Sequence, residues 1–323
     1  MKRAQVVGIA VLSAVLLGGG PAIGIGNTLG SAGRAVAAGT PAFSSWTREA
    51  SGTQDDLRGI ACPSASLCLV AASAVLRSED GGVHWQSRTS GKSDMLLAVA
   101  CPNSTRCEAV GNTILESSNR GATWTRHDTP TGLSGIACLT INSCVAVGVA
   151  GAILANADAG QRWISRTSGT TNSLEGISCP TSSTCVAVGD DGTILFSANA
   201  GITWKSRASG TTSTLYGVTC PTSTLCLAVG DAGTILVSRN GGTTWKSVRS
   251  GVSQYLEGVG CLTSAICVAA GNVGAIVVSV DGGATWSPRT VPNIGDPLRS
   301  VSCPSPAFCF VVGAGGTILK GLR

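Results

Sequence analysis

The chain has 323 residues, of which 12% are charged, 43% hydrophobic and only 4% aromatic. Disordered chains are rich in charge and poor in aliphatic residues, so this composition excludes disorder, and 44 Gly with 12 Pro would interrupt any helical bundle. The net charge is +5, but the first 38 residues contribute three bases and no acid; the remaining 19 bases against 17 acids are no nucleic-acid footprint, which needs bases clustered on one face.

At the N-terminus, Lys2 and Arg3 precede an apolar run from Val6 to Leu17. A Gly/Ala/Ser-rich stretch follows and contains the small-x-small triplet Ala35-Val36-Ala37. This order predicts a secretory signal peptide over residues 1–38 and a mature domain over 39–323. The stretch from Ala4 to Gly26 is nearly long enough for an uncleaved anchor, but Gly18-Gly19-Gly20-Pro21 interrupts it and favours cleavage, leaving no membrane span. Either way the basic end stays cytoplasmic and the rest is extracytoplasmic, on the cell surface or periplasmic side, or secreted. No Cys occurs before Cys62, which excludes a lipidated cysteine beside the signal.

Beyond the signal the chain repeats. Trp46, Trp85, Trp124, Trp163, Trp204, Trp245 and Trp286 form one ladder with steps of 39 to 41 residues. All 14 Cys form a second ladder of C-x5-C pairs: Cys62/Cys68, Cys101/Cys107, Cys138/Cys144, Cys179/Cys185, Cys220/Cys226, Cys261/Cys267 and Cys303/Cys309. The unit from Leu174 to Arg207 reads as four short β-branched strands (174–179, 185–189, 193–197 and 202–207) separated by tight turns. Four strands per period of about 40 residues is the pattern of a propeller blade. Stacked blades bury both faces of their inner strands, which explains apolar runs such as Cys185-Val186-Ala187-Val188. The fold expected is all-β: a seven-bladed β-propeller with four antiparallel strands per blade. The last unit, ending in Ile318-Leu319-Lys320, lacks a fourth strand, and the segment around Trp46 is a spare one, so the N-terminal strand should close the ring and remove the open edge. An open solenoid would leave Trp46 without a blade.

Most units carry Ser-x-Asp/Asn-x-Gly-x-x-Trp before the repeated Trp, as in Ser78, Asp80, Gly82, Trp85 and in Ser279, Asp281, Gly283, Trp286; one unit has Asn156 in place of the Ser but keeps Asp158. Short Asp/Asn side chains hold a turn by bonding its backbone, and Gly supplies positive φ. The motif resembles the Asp-box of sialidase-like propellers, and its meaning is structural. Fourteen Cys in an exported chain read as intra-blade disulfides, each stapling strands one and two across the turn between them. Metal binding is the alternative, but two ligands per pair and only two His in the chain fall short of tetrahedral sites. No pair has the C-x-x-C spacing of a redox centre.

The Trp-x-x-Arg-x-Ser-Gly-Thr stretch, the Leu-x-Gly-Ile segment and Val-Gly-x-x-Gly-Thr-Ile-Leu-x-Ser-x-Asp/Asn-x-Gly-x-Thr-Trp together resemble the Ycf48/Hcf136 family of photosystem II assembly and stability factors, over about residues 42 to 323. The resemblance implies a non-enzymatic, export-side protein that binds other proteins, with no cofactor.

Strand direction sorts the loops. The Cys-Pro turns and Asp-box turns lie on one face of the disc, and the strand two–three turns and blade links on the other. Near the start of strand one, on this variable face, stand Arg58, Ala98, Ser134, Glu175, Tyr216, Glu257 and Arg299. Arg48, Arg88, Arg126, Arg166, Arg207, Arg249 and Arg289 follow each Trp by two to four positions. They either cover the outer strands with their apolar stems or offer forked donors to a partner's carboxylates. The candidate partner-binding residues are Arg58, Glu175, Tyr216, Glu257, Arg299, Arg88, Arg166, Arg207 and Arg289. A sialidase-like glycan hydrolase is the rival. It would draw on Glu175, Glu257, Asp190, Asp191 and Asp231, and on Tyr216 or Tyr255 as nucleophile. The chain lacks an Arg-Ile-Pro motif, every Trp is committed to the repeat, and His84 and His127 form no triad. A non-catalytic, monomeric binding scaffold for a protein partner is the reading these residues favour.

Overall fold

The computed structural model describes residues 43, 45–88, 94–129, 131–158 and 162–323; the expected signal peptide at 1–38 lies outside them. Contacts define a compact unit from Thr40 to Arg323. It contains seven four-stranded antiparallel sheets and, apart from short 3-10 turns, no helix among the described residues. None is long and apolar enough to cross a membrane.

Blade 1 comprises Gly59–Ala61, Cys68–Ala71, Val75–Ser78 and Gln86–Arg88; blade 2, Leu96–Ala100, Cys107–Gly111, Thr113–Ser117 and Thr125–Asp128. Blade 3 comprises Leu133–Thr140, Ser143–Gly148, Ile153–Ala155 and Ile164–Arg166; blade 4, Leu174–Ser178, Cys185–Gly189, Ile194–Ser197 and Lys205–Ser206. Blade 5 comprises Leu215–Thr219, Cys226–Gly230, Ile235–Ser238 and Lys246–Val248; blade 6, Leu256–Cys261, Cys267–Gly271, Ile276–Ser279 and Ser287–Arg289. The fourth strand begins just after the Trp rather than before it, because the indole belongs to the turn: Trp204 Nε1 donates to Gly201 O at 3.0 Å. Blade 7 has three strands from the C-terminus, Leu298–Ser305, Phe308–Gly313 and Ile318–Leu322, and takes its fourth, Ser45–Glu49, from the N-terminus. Ser45 pairs with Leu322 and Glu49 with Ile318, so the ring closes as the repeat count requires.

The Asp-boxes of blades 1, 2, 4, 5 and 6 are hydrogen-bonded hairpins. In blade 5, Ser238 Oγ donates to Asn240 Oδ1 at 3.0 Å and accepts from Gly242 N–H at 2.9 Å, while Asn240 Oδ1 accepts from Thr244 N–H. All seven Cys pairs form disulfides, each joining strands one and two of its own blade. The second Cys of every pair (Cys68, Cys107, Cys144, Cys185, Cys226, Cys267 and Cys309) is fully buried. These residues are therefore structural staples within the core and form no part of a binding surface.

The bridge of blade 7 also staples strands one and two across the turn between them, but it enters the ladder differently. In blades 3 and 6 the bonded cysteines face each other in the ladder, Cys138 opposite Cys144 and Cys261 opposite Cys267. In blade 7 the ladder steps from Ser302 opposite Phe310 to Ser305 opposite Phe308. Cys303 and Pro304 together thus oppose the single residue Cys309, which is a bulge, and both strands continue past the bridge. Pro304 has no N–H to give the ladder, which fits its place in the bulge; blade 3 also skips the residue after its first Cys, Leu139. Cys309 still bonds Cys303, with their Cα atoms 4.1 Å apart, and pairs on its other side with Gly321.

Apolar clusters fill the spaces between neighbouring blades. A recurring contact builds these interfaces: the residue after the second Cys of one blade enters a socket floored by the Asp-box Gly of the next. A Cβ on Gly121 would stand 2.2 Å from Leu69, one on Gly242 2.5 Å from Val186, and one on Gly82 2.4 Å from Phe310. Only Gly admits these knobs, which is why the box needs it beyond its positive φ.

Candidate functional site

The inner strands build the channel. A fully buried Leu starts strand one of blades 2 to 7 (Leu96, Leu133, Leu174, Leu215, Leu256 and Leu298), and the equally buried Leu57 stands two residues before strand one of blade 1. In blades 2 to 7 the next residue is skipped by the ladder. Leu174 pairs with Gly189 and Gly176 with Val188, leaving Glu175 as the extra residue of a bulge. Leu97, Ser134, Tyr216, Glu257 and Arg299 are skipped in the same way. A bulge re-aims the unpaired residue, and these six with Arg58 line a central cavity of about 130 Å³. The expectation of Ala98 in this ring is corrected to Leu97. Ala98 pairs with Val110 and occupies the place that Gly holds in neighbouring blades. Those glycines let the inner strands approach closely: a Cβ on Gly217 would lie 2.5 Å from Glu257 O.

The ring residues differ in how far their polar groups are satisfied. Arg299 Nη1 donates to Glu257 Oε2 at 2.8 Å, and its other end nitrogen is 3.7 Å from Asp56. Arg58 donates to the same Asp56 at 3.1 Å. Tyr216 donates its hydroxyl to Asp231 Oδ1 at 2.8 Å. Burial, that hydrogen bond and the nearby carboxylates push the phenol's pKa well up, so it is held protonated. Glu175 has no cationic partner among the described residues. Burial and the charge of Asp190 raise its pKa, and only a hydrogen bond with Ser134 acts in the other direction. Of the acids weighed for hydrolysis, Glu175, Asp190, Asp231 and Glu257 gather near the mouth, but Glu257 is tied to Arg299, Asp231 to Tyr216, and the phenol is poised against ionisation.

The arginines after the Trp do not form one ring. Arg88, Arg166 and Arg289 face Val75, Ile153 and Ile276 across the outer sheet, and Arg207 N–H bonds Ile194 O in the same register. Blade 5 has Val248 there, with Arg249 exposed beyond it. Arg48 and Arg126 sit one position earlier, on the opposite side of their strands, and pair with Asp296 and Asp94. The stems of those in register are packed: the Nε atoms of Arg88, Arg166 and Arg207 are buried without a hydrogen-bond partner, and the Arg207 guanidinium lies 5.0 Å from the Phe196 ring centre. Arg166 borders an open notch with Ser168, Thr170 and Gly151.

A family model described as photosynthesis system II assembly factor YCF48 matches residues 43–322. The chain belongs to the YCF48 family. Among solved structures, YCF48 from Cyanidioschyzon merolae is similar at 19% identity and TM-score 0.71, with 86% of this chain and 98% of that one covered. A structure titled YCF48 bound to D1 peptide is similar at 18% identity and TM-score 0.73, covering 86% and 97%. The RRP9 WD40 repeats reach the same TM-score at 12% identity, covering 86% and 100%, so the likeness at this level is one of fold. No curated protein matches in sequence.

Within this YCF48-family ring, sequence reasoning overlooked Asp56, the carboxylate shared by Arg58 and Arg299. It also overlooked a buried polar group between blades 2 and 3. Glu108 is fully buried there and comes close to the sulfurs of Cys138 and Cys144, but those sulfurs are committed to a disulfide and offer no metal ligands. The signal was available: Glu108 follows the second Cys of its blade, where the other six blades have Leu69, Val145, Val186, Leu227, Val268 and Phe310.

Proposed function

We propose that this YCF48-family propeller is an exported, non-catalytic assembly scaffold that receives a protein partner at the mouth of its channel. The observation that carries the reading is the ring made by six bulge residues and Arg58. Seven blades that otherwise repeat one structural chemistry contribute varied side chains at the same register, around one cavity. Variation confined to a rigid rim suits recognition, because the strands fix the contact residues beforehand and little entropy is lost on docking. A relative has been captured with a D1 peptide, which supports a polypeptide as the partner class. Glu175, with Asp190 beside it and no cationic partner among the described residues, favours a basic group from the partner at that point. The packed arginines Arg88, Arg166, Arg207 and Arg289 form a secondary rim suited to carboxylates. Seven disulfides suit an oxidising, extracytoplasmic compartment, and the near-neutral balance after the signal gives no footprint for nucleic acid.

A protonated Tyr216 and a Glu257 locked to Arg299 speak against glycan hydrolysis. The test is site-specific photo-crosslinking from position 175, compared with position 223 on the Cys-Pro face, in the exported protein fraction. Protein adducts from position 175 alone are expected. No adducts from 175, or turnover of a glycan panel that disappears in Glu175→Gln, would move the assignment to the hydrolase.

A further inference from the structure

Seven similar blades pose a problem of address. Leu69, Val145, Val186, Leu227, Val268 and Phe310 are all apolar knobs, and Leu69, Val145, Val186, Leu227 and Phe310 meet the same kind of socket, an Asp-box Gly of the next blade. Glu108 of blade 2 is the one charged knob, fully buried at the boundary with blade 3. Blade 3 is also the one whose Asp-box has lost its Ser: Asn156 stands where Ser78, Ser117, Ser197, Ser238 and Ser279 stand elsewhere. The two departures meet. Asn156 Nδ2 donates to Glu108 Oε2 at 3.4 Å across the blade boundary, while Asn156 Oδ1 accepts from Cys144 N–H at 3.1 Å. A Ser side chain is too short to make both bonds. Within blade 2, Arg106 binds the other Glu108 oxygen and reaches Glu116 at 3.2 Å, and His127 lies 3.3 Å from Glu116. Blade 2 thus neutralises its own buried carboxylate, and the remaining acceptor is answered by blade 3.

We infer that Glu108 and Asn156 are a matched key that assigns blade 3 as the neighbour of blade 2 during ring assembly. A carboxylate entering the sockets of blades 1, 2, 4, 5 or 6 would meet a Ser-type box and an apolar wall, leaving a buried acceptor unpaired. The key therefore penalises wrong stacking as much as it favours the right one.

A double-mutant cycle tests the matching. Asn156→Ser should lower the folded-to-unfolded ratio about tenfold in the wild-type background, where it orphans a buried charged acceptor. In the Glu108→Val background the same change should cost less than about twofold, since Ser is then the residue that the apolar knobs already accept. Equal costs in the two backgrounds would overturn the matching. If Glu108→Val does not fold, Glu108→Gln replaces it: the cost of Asn156→Ser should then fall to about threefold, because a neutral acceptor is orphaned, and an undiminished cost overturns the pair. Address is read separately, by refolding from urea with disulfides intact over rising protein concentration. Wild type should return to one species at its native elution volume, and Glu108→Val/Asn156→Ser should yield a growing share of other species. If the double variant refolds as cleanly as wild type, the assembly role is wrong and the pair is a local accommodation. Crosslinking at the mouth is unaffected by that outcome, so the proposed partner site and the key fail independently.

Discussion

The two faces of the disc solve opposite problems. On the Asp-box face, the same residues recur blade after blade and answer one another inside the hairpin: Ser238 serves Asn240 and Gly242, and Trp245 Nε1 donates to Gly242 O at 3.0 Å. At the channel mouth, the backbone recurs, bulge for bulge, and the side chains do not. Glu175 keeps only Ser134, with Asp190 pushing its pKa further up. The difference teaches where selection for stability ends. A position that repeats seven times is solving a folding problem, and one that changes at constant backbone geometry is free to meet something else.

This contrast predicts inverse mutational responses. The largest effect on stability should come from Trp286→Ala, which removes an indole that is buried and donates to Gly283 O at 3.1 Å; chemical denaturation should show a loss of about 3–5 kcal/mol, with partner affinity of the folded fraction unchanged. Replacing Cys220 and Cys226 together by Ala should cost about 2 kcal/mol for so short a loop, again without effect on binding. Ser238→Ala, which strips the Asp-box of its hydroxyl and leaves Gly242 N–H unanswered, should cost roughly 1–2 kcal/mol in the same measurement. Glu175→Gln should cost no stability and should weaken partner binding by about tenfold, the loss of one charge-assisted contact. Its pH signature has a definite sign. A carboxyl whose folded pKa is raised stabilises the fold below its unfolded pKa and loses that contribution as pH rises. The wild-type unfolding midpoint should therefore decline upward from about pH 4.5, and Glu175→Gln should decline less steeply, with Glu108, raised chiefly by burial, supplying part of the remainder. If mouth variants unfold the protein and Asp-box variants abolish binding, the division of labour between the faces is wrong.

Much of this is legible before any coordinates. The Trp and Cys ladders carry the period, and the period carries the blade count, because each unit must bury its faces against neighbours. The unpaired Trp46 announces the closing strand. Local register is less legible. Spacing pairs Cys303 with Cys309, yet only the ladder shows the bulge that Pro304 brings to their hairpin. Counting four residues back from each Cys places the ring at the mouth and gives Leu97 in blade 2, so Ala98 stands one position off the common offset, as the ladder shows. The arginines mislead by proximity in sequence: a strand alternates sides at each step, so Arg48 and Arg126, one position earlier than Arg88, face the other way. Glu108 escapes a reading that follows what repeats, because its message lies in the one unit that does not.

Ring closure also has a consequence in time. Each disulfide joins residues six apart, so a blade can staple its inner hairpin as soon as those few residues have emerged. The strand Ser45–Glu49 has no such local partner. It is the earliest strand of the ring to appear and pairs with Ile318–Leu322, among the latest. Throughout synthesis it must stay extended and unclaimed while six complete four-stranded sheets form downstream, any of which offers an outer edge to pair with. The first strand made is the last one placed, and the interval between those two events is when the molecule is most open to the wrong companion.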